Sequence, residues 1–255
     1  MPTRIKQFIK RVVEKYKSPM IPIHWIKTDQ NSWLSQQFNF AFIKPEKSIY
    51  SSRIEKLSEQ TNQLGVQPLW EGYAGNNVGG LTRAPDDVRT VASMGNLYTF
   101  LVQKCKPNII VEFGTAFGVS GMYFLAGIES NGTGKLLTFE PNDVWAKLAK
   151  NNLYQISDRF DCILGTFEVN IDSSLPQGQC IDMAFIDAIH TKEFVIPQLE
   201  IVVAKSSSGA IIILDDINFS DNMRECWKEV STDSRFSASA ELGERVGILE
   251  LKRLG

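Results

Sequence analysis

The sequence lacks any apolar run near the ~20 residues that a membrane-spanning helix requires. Its first residues are charged and do not form the sustained apolar stretch of a secretory signal, so a cytoplasmic protein is expected. An excess of one charge is missing too: 27 Lys and Arg stand against 29 Asp and Glu. That balance gives no electrostatic footprint for nucleic acid, and no such partner is expected. Cysteine is scarce. Cys105, Cys162, Cys180 and Cys226 have no metal-site spacing and read as reduced, mostly buried thiols. Histidine is scarcer still, and His24 has no motif around it and reads as structural. There is no internal repeat and no low-complexity segment. Neither a P-loop nor the Gly-x-Gly-x-x-Gly that cradles a pyrophosphate occurs.

The most informative stretch that is present runs from Ile109 to Gly121, Ile-Ile-Val-Glu-Phe-Gly-Thr-Ala-Phe-Gly-Val-Ser-Gly. An apolar strand ends in an acid, a glycine turn follows, and a helix opens. Gly114 and Gly118 allow tight backbone geometry and close approach of a ligand. Amides at the helix start point toward that ligand. Glu112, at the carboxyl end of its strand, can accept from a ligand amine or a bound water. Leu136 to Glu140 is a second apolar strand ending in an acid, with Glu140 22 residues beyond Gly118. An acid at this place in a nucleotide-binding α/β sheet takes ribose hydroxyls. The spacer suits one helix of a right-handed crossover between parallel neighbours. The pattern fits a nucleoside ligand without phosphates.

Further along, Ile181 to Ile186 is an apolar strand leading into Asp187-Ala188-Ile189-His190. Asp215 and Asp216 close another apolar strand 28 residues past Asp187, with Ser208-Gly209 as the turn before it. Continuous apolar runs such as Ile211 to Leu214 suit a parallel sheet covered on both faces. Strands are expected at 108–112, 135–140, 160–164, 181–186, 210–214, 236–242 and 246–252. The last two flank a short turn at Gly243-Glu244-Arg245 and form an antiparallel hairpin. Helices are expected at 119–129, 143–154, 191–204 and 221–231. Another should open at Pro85, with Asp86 and Asp87 in its first turn, and run to about Lys104.

On these motifs the chain resembles the class I S-adenosylmethionine-dependent methyltransferases. It is most similar to the small-molecule O-methyltransferases related to catechol and caffeoyl-CoA O-methyltransferases. The resemblance covers roughly residues 80 to 252. It implies an α/β fold: a Rossmann-like seven-stranded, mostly parallel sheet with a C-terminal antiparallel hairpin, plus an N-terminal helical or irregular lobe. It implies S-adenosylmethionine as cofactor, held by Glu112, Gly114, Thr115, Gly118, Ser120, Glu140, Thr166, Phe167 and Asp187. Ser120 would hold the methionine carboxylate by its hydroxyl or amide. Thr166 and Phe167 would line the adenine, with core packing the alternative for Phe167. In metal-dependent relatives, acids placed like Asp187, Asp215 and Asp216 bind a divalent cation, here Mg²⁺, Ca²⁺ or Mn²⁺ from the all-oxygen set. Helix capping is the alternative for the paired aspartates. The family's catalytic Lys falls at His190, so either the metal or His190, beside Asp187, would provide the acceptor anion.

The segment before the sheet reads as a separate piece. Residues 1–84 are expected to form a lid or oligomerisation segment, and residues 85–255 the cofactor-binding domain. Residues 3–17 carry apolar side chains at helical spacing opposite Lys and Arg. That helix is expected to pack on the domain or a second subunit, giving a homodimer, or to lie on an anionic surface. Trp25, Trp33, Phe38, Phe40 and Phe42 make residues 19–45 aromatic-rich. They suit a lid, an oligomer contact or ordinary packing. Residues 51–64 read as an amphipathic helix, and the glycine-rich stretch at 72–83 as mobile. The function expected is methyl transfer to an oxygen of a small molecule or peptide-derived natural product. Transfer to nitrogen or carboxylate, and a nonenzymatic cofactor-binding scaffold, are the alternatives.

Overall fold

The computed structural model describes residues 20–38, 41–69, 82–187 and 189–253. The helix expected at 3–17 and nearly all of the glycine-rich stretch at 72–83 lie outside the described residues, as does Phe40. In chain order the strands are β1 (Ile21–Thr28), β2 (Phe42–Ile43), β3 (Gln67–Pro68), β4 (Thr82–Arg83), β5 (Ile109–Phe113), β6 (Lys135–Glu140), β7 (Phe160–Leu164), β8 (Ile181–Ile186), β9 (Ser206–Leu214), β10 (Phe236–Leu242) and β11 (Val246–Leu251). The helices are α1 (Trp33–Gln37), α2 (Ser51–Asn62), α3 (Pro85–Val88), α4 (Ala92–Cys105), α5 (Val119–Asn131), α6 (Asp143–Tyr154), α7 (Phe167–Ser174), α8 (Lys192–Lys205) and α9 (Asp221–Val230).

Among the described residues the main sheet has nine strands in the order β2-β1-β10-β11-β9-β8-β5-β6-β7. From β7 to β9 the neighbours are parallel, and β11, β10, β1 and β2 continue the sheet antiparallel. The continuous apolar strands feed both faces. Ile211 and Ile213 enter one core cluster with α4 and α5, while Ile212 and Leu214 enter the other with α7, α8 and α9. The alternation follows from the two-residue period of a strand. The result is a three-layer α/β sandwich. Chain order reverses between β6-β5 and β8-β9, so the switch point, where such sheets bind ligands, lies between β5 and β8.

Three differences from the sequence expectation have physical causes. The sheet has nine strands rather than seven because β1 pairs with β10 and β2 pairs with β1. Ile21 lies in the core and Ile23 and Trp25 pack against it, so alternation hides in what reads as an aromatic lobe. The expected division at residue 84 therefore does not coincide with a division of the sheet. Second, the helix opening at Pro85 breaks. Arg89 and Val91 take extended backbone, and Arg89 pairs with Glu55 and Asp86. Third, β9 begins at Ser206, and Gly209, at φ 84, sits inside its irregular pairing with β8. Trp33 and Phe38 pack edge-to-face, and Phe38 does the same with Phe100, so these aromatics serve the core. Phe42 is exposed.

Candidate active site

The carboxyl edge of the sheet carries two neighbouring polar clusters. The first belongs to β5, β6 and the turn between β5 and α5. Gly114 and Gly118 have φ of 80 and 82, backbone that favours glycine. Gly118 caps α5, and a Cβ there would sit 3.2 Å from the Ala149 backbone of α6. Its need for glycine is thus helix packing as much as ligand approach. Glu112 is fully buried. Ser120 Oγ donates to its Oε1 at 2.5 Å and Thr138 Oγ1 to its Oε2 at 2.6 Å. Thr115 Oγ1 lies 2.5 Å from Thr138 Oγ1 and must be the donor there, since the Thr138 proton is committed to Glu112. Both Glu112 oxygens are thus engaged inside the protein. Burial pushes its carboxyl up to about 7, against the lowering effect of the two hydroxyls.

Glu140 ends β6 and is 4% exposed. Its Oε2 accepts the Ala116 N–H at 2.8 Å and its Oε1 the Asn142 N–H at 2.9 Å. It therefore clamps the glycine turn of the neighbouring strand. Two of its roughly four acceptor positions remain. Burial raises this carboxyl to about 7 as well, opposed by the two backbone donors. Thr166 is half-buried and precedes α7 at the end of the β7 turn. Phe167 is 2% exposed and packs against Phe113 and Phe139, a core position rather than an open platform. Trp145 lies against Phe117 of the glycine turn, and its buried Nε1–H has no partner among the described residues.

The second cluster stands on β8, β9 and the β10–β11 turn. Asp187 follows β8, and its N–H donates to Phe113 O at 3.3 Å. Asp215 and Asp216 follow β9, and Asp216 holds φ at 51, an uncommon conformation for a residue with a side chain. His190 Nε2 lies 3.6 Å from Asp187 Oδ1 and 3.7 Å from Asp216 Oδ2. The sequence reading brought these four side chains together, and they do converge. It missed Arg245. From the hairpin turn, Arg245 Nε donates to Asp215 Oδ1 at 2.9 Å and Nη2 to Asp215 Oδ2 at 2.6 Å. Nε is also 2.9 Å from Asp216 Oδ1. The antiparallel pairing of β11 with β9 delivers it: Gly247 stands opposite Leu214, so the hairpin turn reaches the end of β9. Tyr98 of α4 was missed too. Burial first, and then the charges of Asp215 and Asp187, raise its hydroxyl's pKa.

Electrostatics follow from that packing. Enclosure first, and the Asp215 charge second, raise the Asp187 carboxyl well above its ordinary value, against the pull of Arg245. Asp216 is raised by the same two causes. Burial lowers the pKa of His190, opposed by Asp216 and Asp215. The expected metal set does not fit this arrangement. Arg245 takes both oxygens of Asp215 and one of Asp216, and no cluster of three or more acidic, His or Cys side chains among the described residues is arranged for a cation.

Residues 111–217 match the family model of a methyltransferase domain. No curated protein matches the sequence. Solved structures share the fold at low identity. A methyltransferase from Podospora anserina bound to S-adenosylhomocysteine aligns over 99% of this chain and 97% of its own, with 14% identity and a TM-score of 0.63. The O-methyltransferase from Bacillus cereus in complex with S-adenosylhomocysteine aligns over 80% and 98%, with 18% identity and a TM-score of 0.57. The O-methyltransferase TomG from Streptomyces achromogenes, involved in tomaymycin synthesis, aligns over 80% and 99%, with 15% identity and a TM-score of 0.56. The match places a methyltransferase domain on residues 111–217, the stretch that carries the parallel strands β5 to β9. The fold is one shared with solved O-methyltransferases.

Proposed function

We propose that the chain transfers the methyl group of S-adenosylmethionine to an oxygen of a small molecule or peptide-derived acceptor. The observation that carries this reading is the row formed by Glu140, the Gly114–Gly118 turn and Asp187 along one sheet edge across the switch point. Glu140 keeps acceptor positions for ribose hydroxyls, and the Gly114–Gly118 turn, braced by Phe139 O and Glu140, is the stretch of backbone assigned to the methionine end. Ser120, through its amide because its hydroxyl proton goes to Glu112, and Asp187 serve the methionine carboxylate and amine, and Thr166 with the Trp145 Nε1–H serves the adenine side.

The cofactor supplies an activated methyl: its carbon bonds to the acceptor oxygen while the carbon–sulfur pair returns to sulfur. The protein's task is alignment and removal of the acceptor proton. His190 suits that task because burial keeps its imidazole neutral near neutral pH. With Nε2 turned to two carboxylates, its proton belongs there, and Nδ1 carries the lone pair. Phe219, exposed at 68% and packed on the His190 ring at 5.3 Å, offers an apolar wall to the acceptor.

Calorimetric titration with S-adenosylhomocysteine and NAD, followed by methyl transfer to a panel of hydroxyl, amine and carboxylate compounds, tests the reading. Binding of the homocysteine nucleoside and transfer to hydroxyls support it. Transfer only to amines or carboxylates changes the acceptor class. Binding without any transfer favours a nonenzymatic scaffold, and binding of NAD alone removes the cofactor assignment.

A further inference from the structure

The second polar cluster brings three aspartates together and then does something unusual with them. Asp215 is 2% exposed, and both of its oxygens accept from one guanidinium. The same Nε reaches Asp216, whose other oxygen faces His190. Arg245 is itself held by its backbone. Ile217 N–H donates to Arg245 O at 3.0 Å, and Asn218 Nδ2 donates to the neighbouring Glu244 O at 2.7 Å. The turn carrying the cation and the loop carrying the acids are thus stitched at two points besides the ion pair itself. A guanidinium stays charged at any pH a protein tolerates and matches a carboxylate through two parallel bonds. Mg²⁺, Mn²⁺ or Ca²⁺ would need several oxygens at ~2.0–2.6 Å, including those already committed here.

We propose that Arg245 is the resident cation of the acceptor site, occupying by its guanidinium the charge position for which the three aspartates would otherwise recruit a divalent ion. The chain is then a metal-independent methyltransferase, and the acceptor oxygen meets a fixed organic cation instead of an exchangeable one. Arg245 suits this contact because its side chain is 42% exposed, and its Nη1 makes no hydrogen bond among the described residues. The acceptor it favours carries one oxygen with full or partial negative charge beside an apolar body. It does not need the vicinal pair of oxygens that chelates a metal. Arg245 acts as a positioning residue toward Asp215 and Asp216 and as a binding residue toward the acceptor. This inference rests on the proposed methyl transfer only for its acceptor part; the cation part stands on the geometry alone.

The test is Mn²⁺ binding, read by the electron paramagnetic resonance of free Mn²⁺, on the intact wild-type chain and on Arg245→Ala, Arg245→Met and Arg245→Lys. S-adenosylhomocysteine titration of each reports the cofactor half, and a cooperative thermal melt reports folding. Wild type and Arg245→Lys should hold no stoichiometric Mn²⁺. Arg245→Ala or Arg245→Met should bind one ion at least about 10-fold more tightly, because freed carboxylates set affinity at such sites. Stoichiometric Mn²⁺ on the wild type overturns the proposal without need of any variant. So does a folded, cofactor-binding Arg245→Ala or Arg245→Met that gains no Mn²⁺ affinity. Wild type that binds neither Mn²⁺ nor S-adenosylhomocysteine removes the proposed function and leaves the resident cation intact.

Discussion

Two acidic clusters share one sheet edge, yet they are neutralised by different means. In the cofactor half, Glu112 and Glu140 are held by neutral donors: two hydroxyls for one and two backbone amides for the other. In the acceptor half, Asp215 and Asp216 are held by a full positive charge on Arg245. Neutral donors only partly offset the cost of burying a carboxylate, so both glutamates are pushed up to about 7. A full positive charge opposes that cost from one fixed place, though burial and the Asp215 charge still raise Asp216, and it commits the site to one cation. The difference teaches that an acid at a strand end is not one kind of object. Its chemistry is set by whether its partner is a dipole or a charge.

The comparison can be broken most severely through pH. Glu112 binds its proton more tightly in the folded chain than in the unfolded one, rising from 4.5 to about 7. Its favourable contribution is therefore complete below the unfolded value and is lost as pH climbs to about 7. That amounts to about 3 kcal/mol across the window. Glu112→Gln should match or trail the wild type in melting temperature at about pH 4.5 and gain on it by about pH 8. A flat difference would mean that the hydroxyls alone satisfy the charge.

Next in size is removal of the charge in the other half. Arg245→Met strands the buried Asp215 carboxylate. A buried pair would cost more, but with Arg245 42% exposed the expected loss is about 2 kcal/mol, read in a denaturant titration. Arg245→Lys should recover part of it, and a loss confined to Arg245→Met distinguishes lost charge from lost packing. Smaller again is Glu140→Gln, which keeps one acceptor oxygen and should weaken S-adenosylhomocysteine binding about 10-fold in calorimetry. Unchanged affinity would move the ribose elsewhere along the edge. Phe219→Ala should leave stability within about 0.5 kcal/mol, since the side chain is exposed, while raising the acceptor KM several-fold at similar kcat. A change in kcat alone would make Phe219 a support for His190 rather than a wall for the acceptor.

The parallel sheet was legible because its strands are apolar on both faces, as Ile211 to Leu214 shows, and because each acid falls where a strand must end. The helices expected at 143–154 and 221–231 are found at Asp143–Tyr154 and Asp221–Val230, each opened by a cap, Asn142 or Ser220, whose side chain accepts the first free amides. Strand β1 was hidden by Pro22, which argues against an inner strand. It is tolerated because β2 pairs with β1 for only two residues, while Pro22 O accepts from Gly243. The hidden signal was the alternation of Ile21, Ile23 and Trp25. Arg245 looked like any polar turn residue. Its meaning comes from a strand pairing that sets it beside aspartates 30 residues earlier, and no local pattern encodes that. Phe167 was open between two uses, and only the packing of Phe113 and Phe139 around it decides for the core.

The antiparallel extension of the sheet also orders events in time. The cofactor cluster closes over short loops, with Glu112 and Thr138 only 26 residues apart. Strand β1 must wait for β10, and the contacts that fix it and the following α1 are far apart in sequence: 206 residues from Lys27 to Asp233 and 216 from Leu34 to Glu250. Long-range pairing of this kind is slow, and a strand without its partner exposes an unpaired edge in the interval. The proposed nucleoside half can therefore take shape from neighbouring strands alone. The proposed acceptor half closes only when the β10–β11 hairpin has paired with β9 and β1, so it is the later of the two to form.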